Sequence, residues 1–282
     1  MRETEGMTIP SRTLGDGNEI PAIGFGTYLL SGDDGRDAVV SALGCGYRLL
    51  DTALNYDNEA EVGEAIRRSG IPREDIVIAT KLPGRFHGFA ETRAGFEESL
   101  TRLGVDYIDL FLIHWPLPKV GKFLDSWRAM IALRVEGLIR SIGVSNFTRE
   151  HLAFIIQESG VVPAVNQIEL HPHFPQAEMR AFHAENGIQT QSWSPLAHQR
   201  SVLADPAVTA VADAHGVTPA QAVLRWHVEL GSIPIPKSSS PRRQRENLDV
   251  FGFDLTDAEV ASISSLESGR LWGGDPDTNE EF

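Results

Sequence analysis

The sequence predicts a (β/α)8 barrel, and three observations carry that prediction. Short runs rich in Val, Ile and Leu alternate with longer stretches of helical period, and the unit recurs about eight times in 282 residues. Most of these runs are continuously apolar, the pattern of parallel strands covered on both faces. The competing architecture is an open doubly wound sheet, whose nucleotide-binding version should show a G-x-G-x-x-G turn after its first strand. Gly24-Phe25-Gly26-Thr27-Tyr28-Leu29 lacks the last glycine, and no P-loop motif occurs in the chain.

Taken in order, residues 1–7 read as a flexible leader. Residues 8–20, turning at Gly15-Asp16-Gly17-Asn18, read as a hairpin that closes the bottom of the barrel. Strands are expected at 23–27, 48–52, 76–80, 108–114, 141–145, 164–168, 188–193 and 232–235. In 93–103, Phe96, Leu100 and Leu103 recur at helical spacing. In 121–136, Phe123, Leu124, Trp127, Met130 and Ile131 do the same, with Gly137 as a C-terminal cap. Two helices, 203–214 and 218–230, fall between the seventh and eighth strands, the second opened by Thr218-Pro219. A last one, 241–250, opens with Ser240-Pro241. No linker, low-complexity tract or charge block divides the chain, so 1–282 is expected to be one barrel domain.

Composition limits the partners. The chain carries 25 Lys and Arg against 39 Asp and Glu, a formal charge of −14, with 41% hydrophobic residues. Binding an extended nucleic acid needs clustered cations to displace counterions, so a nucleic-acid partner is excluded. No apolar run approaches the ~20 residues that span a bilayer, and the first twenty residues have no apolar core. The lone cysteine, Cys45, forbids an internal disulfide. The expectation is a cytoplasmic monomer with a small-molecule partner.

In a barrel the C-terminal ends of the strands converge on one face, so polar residues at those ends mark the site. Here they are Asp51, Lys81, His114, Ser145-Asn146, Gln167, Trp193-Ser194 and Lys237, with Tyr56 five residues beyond Asp51. A phenol titrates near 10. A lysine ammonium beside it favours the phenolate and is expected to lower that value by roughly one to three pH units. Aspartate paired to the lysine would hold the cation in place. The phenol could then give a proton to a developing alkoxide or take it back, while a histidine orients a carbonyl oxygen. No nucleophile for acyl transfer accompanies the set. A Schiff-base lysine at Lys81, as in an aldolase-type barrel, is the competing chemistry. His171, His173 and His183 lack a carboxylate partner set with recognised ligand spacing, so no metal is expected.

These residues sit in segments that together resemble the aldo-keto reductases from end to end. The segments are GFGTY at 24–28, RLLDTALNYDNE at 48–59, TKL at 80–82, LIHWP at 112–116, GVSNF at 143–147, NQIELHP at 166–172, WSPL at 193–196 and IPKSSSPRRQREN at 235–247. WSPL and the tail LWGGDPDTNEEF are similar to the prokaryotic branch that includes 2,5-diketo-gluconate reductases. The resemblance implies hydride transfer between NADPH and an aldehyde or ketone. Tyr56 would be the general acid, Lys81 its partner, Asp51 the counter-ion, and His114 the residue that orients the carbonyl. It implies that Gly26, Thr27 and Asp51 lie along the cofactor and that Ser145, Asn146 and Gln167 bind the nicotinamide carboxamide. Trp193 would stack on the ring, with Ser194 and Leu196 along the pyrophosphate. In the basic island 237–245, it places Lys237, Ser238 and Arg243 on the adenosine 2′-phosphate, with Ser239 also along the cofactor, and Glu246 and Asn247 by the adenine. NADPH is therefore expected over NADH.

Tyr28, Trp115 and Trp272 are candidates for an apolar substrate pocket, with the tail 269–282 near the mouth of the barrel. Two departures from the family pattern stand out. Ala197-His198 follow WSPL where many relatives continue with glycines, which affects the cofactor clamp over 197–203. LPGRFHGF, in the loop 82–90, lacks the tryptophan common after TKL.

Overall fold

Eight parallel strands form a closed ring in the computed structural model, which describes residues 9–197 and 202–281. They are β3 (Phe25–Gly26), β4 (Leu49–Asp51), β5 (Val77–Leu82), β6 (Ile108–Ile113), β7 (Ile139–Ser145), β8 (Val165–Glu169), β9 (Gln189–Trp193) and β10 (Ile233–Pro234), each bonded to the next in chain order. The ring is closed by main-chain bonds from Gly24 N to Pro234 O at 3.0 Å and from Gly26 N to Pro236 O at 3.1 Å.

Strand alternation sorts the apolar residues into two layers, as continuous apolar runs require. In β6, Leu110 and Leu112 enter the barrel interior, where they meet Leu49, Ala79, Val165, Ile233 and Ile235. Phe111 and Ile113 of the same strand face outward into the larger cluster shared with the helices. Gly143 on β7 is a packing requirement. A Cβ there would lie 2.6 Å from Val165 O and 2.8 Å from a Leu112 methyl. Truncating the fully buried Leu112 to alanine in such a layer costs roughly 2–5 kcal/mol.

The helices are α1 (Gly32–Cys45), α2 (Glu59–Ser69), α3 (Phe89–Leu103), α4 (Phe123–Val135), α5 (Arg149–Ser159), α6 (Ala177–Glu185), α7 (Pro206–His215), α8 (Pro219–Glu229), α9 (Pro241–Leu248) and α10 (Asp257–Ser264). Thr218 caps α8 in a reciprocal box with Gln221. The hairpin consists of β1 (Ser11–Thr13) and β2 (Glu19–Pro21). It plugs the barrel floor: Leu14 and Ile20 join the interior cluster, and Asn18 Nδ2 donates to Arg140 O and Ser141 Oγ at the start of β7.

Local differences from expectation have local causes. The stretch expected to be helical from 203 begins with a short 3₁₀ turn, Val202–Ala204. The α-helix starts at Pro206 because the Asp205 side chain accepts from Ala207 N and caps it. β5 runs on to Leu82, so Lys81 belongs to the strand itself. Gly137 lies one residue beyond the α4 cap, Glu136, with φ +81°. The leader 1–7 and residues 198–201 of the expected clamp lie outside the described residues. Among the described residues, no helix is long and apolar enough to cross a membrane.

Candidate active site

Three neighbouring strands bring the four expected catalytic residues together. Asp51 ends β4, Lys81 lies near the end of β5, His114 follows β6, and Tyr56 closes a 3₁₀ turn, Leu54–Tyr56, after β4. Lys81 Nζ donates to Asp51 Oδ1 at 2.7 Å, to Thr52 O at 2.9 Å and to Tyr56 Oη at 3.3 Å. An ammonium has three protons, and all three are used. The His114 ring stands edge-on to Tyr56 with centroids 5.9 Å apart.

The electrostatics correct one expectation. Burial pushes the Tyr56 phenol up to about 12; Lys81 pulls the other way but is outweighed, and Asp51 adds to the rise. The lysine charge is offset by its aspartate, so its pull on the phenol is weaker than a lone ammonium would exert. Burial lowers the pKa of Lys81, but Asp51 and Tyr56 together more than reverse this, so the net direction is up and the ammonium stays charged.

The amide and hydroxyl groups of the next strands continue the same network. Gln167 Nε2 donates to Asp51 Oδ2 at 2.7 Å and to Gln191 Oε1 at 3.0 Å. Ser145 Oγ donates to Gln167 O, and Asn146 Nδ2 donates to His114 O and Ser145 Oγ. Trp193 Nε1 donates to Asn146 Oδ1 at 2.8 Å, which fixes the plane of the indole. Asn146 and Ser194, at the exits of β7 and β9, both hold positive φ, +62° and +50°. Such strain in non-glycine residues concentrates where side chains must be aimed.

The nucleotide-side residues form a separate, open group. Gly26 and Thr27 end the first barrel strand, and Thr27 Oγ1 donates to Asp51 O. A Cβ on Gly26 would lie 3.7 Å from Lys237 Cβ, so the basic island adjoins this edge. Lys237, Ser239 and Arg243 are exposed, Ser238 and Asn247 are buried, and Leu196 packs in the core. Arg242 pairs with Glu246 at 2.9 Å, so Glu246 already has a cation. The buried amide nitrogen of Gln191 has no hydrogen-bond partner among the described residues and could donate to a bound group. This spare donor, the aimed carboxamides and the cations at the start of α9 suit a nucleotide that has an amide at one end and phosphates at the other.

Tyr28, Trp115 and Trp272 all border the mouth. Tyr28 is 55% exposed, with its ring 5.0 Å from that of Tyr56. Trp272 lies 6.2 Å from Trp193. Gly274 of the tail packs on Trp115, where an added Cβ would come within 2.7 Å of the indole. In the loop 82–90, a 3₁₀ turn over Gly84–Phe86 leads into α3. His171 and His183 are internal: His171 lies 3.0 Å from Glu169, and His183 contacts Thr190 and Asn166. Among the described residues, no three metal-binding side chains converge.

Sequence reasoning missed two residues, Glu281 and Gln191. Glu281 Oε1 lies 2.9 Å from His114 Nδ1. The tail reaches His114 because Leu271 N and Trp272 N donate to Glu169 Oε1 at 2.7 and 3.2 Å, and Lys119 holds Glu280 at 2.8 Å. Alternation along β9 could have flagged Gln191, since it points the same way as Trp193 at the strand exit.

Comparison with known proteins gives the chain's relatives. The profile of the aldo/keto reductase family matches residues 22–268. A 2,5-diketo-D-gluconic acid reductase B of Corynebacterium sp. (strain SHS752001) is 59% identical over 274 residues, 97% of this chain and 99% of that protein. The crystal structure of an aldo/keto reductase from Brucella melitensis aligns with TM-score 0.89 and 48% identity, covering 92% of this chain and 100% of that one. A mutant of Gox0644 crystallised in complex with NADPH aligns with TM-score 0.92 and 41% identity, covering 97% and 100%.

Proposed function

The chain belongs to the aldo/keto reductase family, and from that premise we propose that it reduces aldehydes or ketones to alcohols with NADPH. The observation that carries the reading is Lys81, whose three protons are shared among Asp51, Thr52 and the phenol of Tyr56. Bound NADPH supplies a hydride to the carbonyl carbon. Tyr56 Oη gives its proton to the carbonyl oxygen as negative charge develops there, and takes it back in the reverse direction. Lys81 stabilises the phenolate left behind, and Asp51 keeps the ammonium aimed. His114 orients the carbonyl oxygen beside the phenol.

Ser145, Asn146 and Gln167 would hold the carboxamide, Trp193 the ring face, and Ser194 and Leu196 the pyrophosphate. Lys237, Ser238, Ser239 and Arg243 would hold the 2′-phosphate end, and Glu246 and Asn247 the adenine. Tyr28, Trp115 and Trp272 would wall the substrate pocket. An aldolase reading is disfavoured because an ammonium with all three protons bound offers no lone pair for a Schiff base. The reading includes a cytoplasmic monomer, in keeping with the unpaired Cys45; sedimentation and cell fractionation test this.

The deciding experiment mixes the protein with NADPH and a panel of aldehydes and follows loss of the reduced nicotinamide. Turnover is expected. Tight NADPH binding without turnover of any carbonyl would instead mark a cofactor-binding sensor, and borohydride trapping on Lys81 would mark an aldolase.

A further inference from the structure

We propose that Glu281, carried over the mouth by the C-terminal tail, selects substrates by charge. It disfavours carbonyl compounds that bear a carboxylate next to the reacting carbon and favours neutral, hydroxyl-bearing ones. The proposal rests on the carbonyl-reduction reading above and specifies its substrate class.

Glu281 is fixed from several sides. Its Oε1 lies 2.9 Å from His114 Nδ1, and its side chain is 21% exposed. Its main-chain oxygen lies against Gly84, where any Cβ would come within 2.1 Å, so that glycine leaves room for the strap. Upstream, Glu169 grips Leu271 N and Trp272 N, Arg270 Nη1 donates to Gly274 O at 2.8 Å, and Lys119 pairs with Glu280. The strap therefore runs from the end of β8 across Trp193 and Trp115 to the residues that hold the carbonyl.

The charge at its end is a carboxylate. Burial alone would favour protonating Glu281, but His114, the Asn55 amide and Lys81 outweigh it and hold its pKa below the usual value. The groups facing it are His114, Tyr56, Lys81, His87 and Asn55, and Asn55 in turn accepts from Arg85. Lys81 is matched by Asp51, Lys119 by Glu280, and Arg270 lies 3.7 Å from Glu169. These three cations are already paired, and Arg85 is exposed and bonded to Asn55, so a second carboxylate beside the carbonyl would meet Glu281 with no unpaired buried lysine or arginine beside it among the described residues. Like charges brought together in a site shielded from water repel strongly. Glu281 Oε2, by contrast, is buried without a hydrogen-bond partner among the described residues, and a substrate hydroxyl would satisfy it.

The test uses a matched pair, pyruvate and methyl pyruvate, with hydroxyacetone as the hydroxyl-bearing ketone, each with NADPH at saturation. The quantity read is kcat/KM for the acid divided by kcat/KM for its ester, in wild type and in Glu281→Gln. The substitution keeps shape and hydrogen-bonding capacity but removes the charge, so a structural role alone would move acid and ester together. The ratio is expected to rise at least tenfold in the variant, with Glu281→Ala moving it in the same direction. In Glu281→Ala, which removes the acceptor altogether, kcat/KM for hydroxyacetone relative to the ester should fall. An unchanged or lowered acid-to-ester ratio in both variants, with the ester still reduced, would overturn the assignment of Glu281 alone. Absence of turnover with every carbonyl in wild type would overturn the carbonyl-reduction reading, and this proposal with it.

Discussion

The corner of the mouth around Lys81 and the segment around Arg243 differ in how completely their polar groups are used. Around Lys81 nearly every donor has a fixed acceptor: Asp51 receives both Lys81 and Gln167, and Asn146 receives the Trp193 indole. Around Arg243 the cations stand in solvent, and the ion pair there joins Arg242 to Glu246 across one helical turn. The contrast follows from the task of each region. Proton transfer requires atoms placed within tenths of an ångström before substrate arrives, and a buried network provides that placement. A phosphate needs charge and reach, which exposed guanidinium groups on a helix N-terminus can supply.

The buried corner is most sensitive at Tyr56. Tyr56→Phe keeps the ring and its contacts with Tyr28 and His114 but removes the acidic proton. We expect kcat to fall by roughly 10²–10⁴ while NADPH affinity, read by fluorescence titration, stays the same. Turnover close to wild type would remove the phenol from the mechanism. Lys81→Met would leave Asp51 buried beside an apolar chain. Breaking a buried pair costs roughly 3–5 kcal/mol, so the urea midpoint should drop along with activity. A stable variant would mean that the corner is less closely coupled than its hydrogen bonds imply.

Solvent pH tests the same corner without mutation. With the Tyr56 phenol raised to about 12, mainly by burial, the acid form predominates throughout the neutral range. Carbonyl reduction needs that form, so its rate should show no loss from this group between pH 6 and 10. Alcohol oxidation needs the phenolate and should rise about tenfold per pH unit until other groups intervene. An oxidation plateau already reached near pH 8 would show that Lys81 prevails over burial. The smallest effect is expected in the open region. Arg243→Ala should weaken NADPH by roughly ten- to a hundredfold, leave NADH nearly unchanged, and shift the unfolding midpoint little. Equal losses for both nucleotides would remove Arg243 from the 2′-phosphate.

Asp51, Lys81 and His114 were legible in the sequence because they fall at the ends of apolar runs, and barrel geometry gathers strand ends on one face. The hairpin was legible from its Gly-Asp-Gly-Asn turn. The direction of the Tyr56 shift was not, because it depends on how much water the folded site excludes, and no spacing encodes that. Glu281 was hidden for another reason. The tail has no periodicity, and its course depends on two amide protons meeting Glu169, more than a hundred positions earlier in the chain. The start of α7 was misplaced because an aspartate cap followed by proline overrode an apolar pattern that begins three residues sooner.

The closure of β10 onto β3 has a consequence for how the protein is made. The bonds from Gly24 to Pro234 and from Gly26 to Pro236 join residues some two hundred positions apart. At ribosomal rates of ~5–20 residues per second, β3 waits roughly 10–40 s for its second neighbour. During that interval its outer edge is an unpaired template open to other chains. Lys237 meets the Gly26 edge through this late seam, so the nucleotide-side group is among the last parts of the protein to assemble during synthesis. Most of the catalytic corner, by contrast, depends on residues 51–114, which leave the ribosome early.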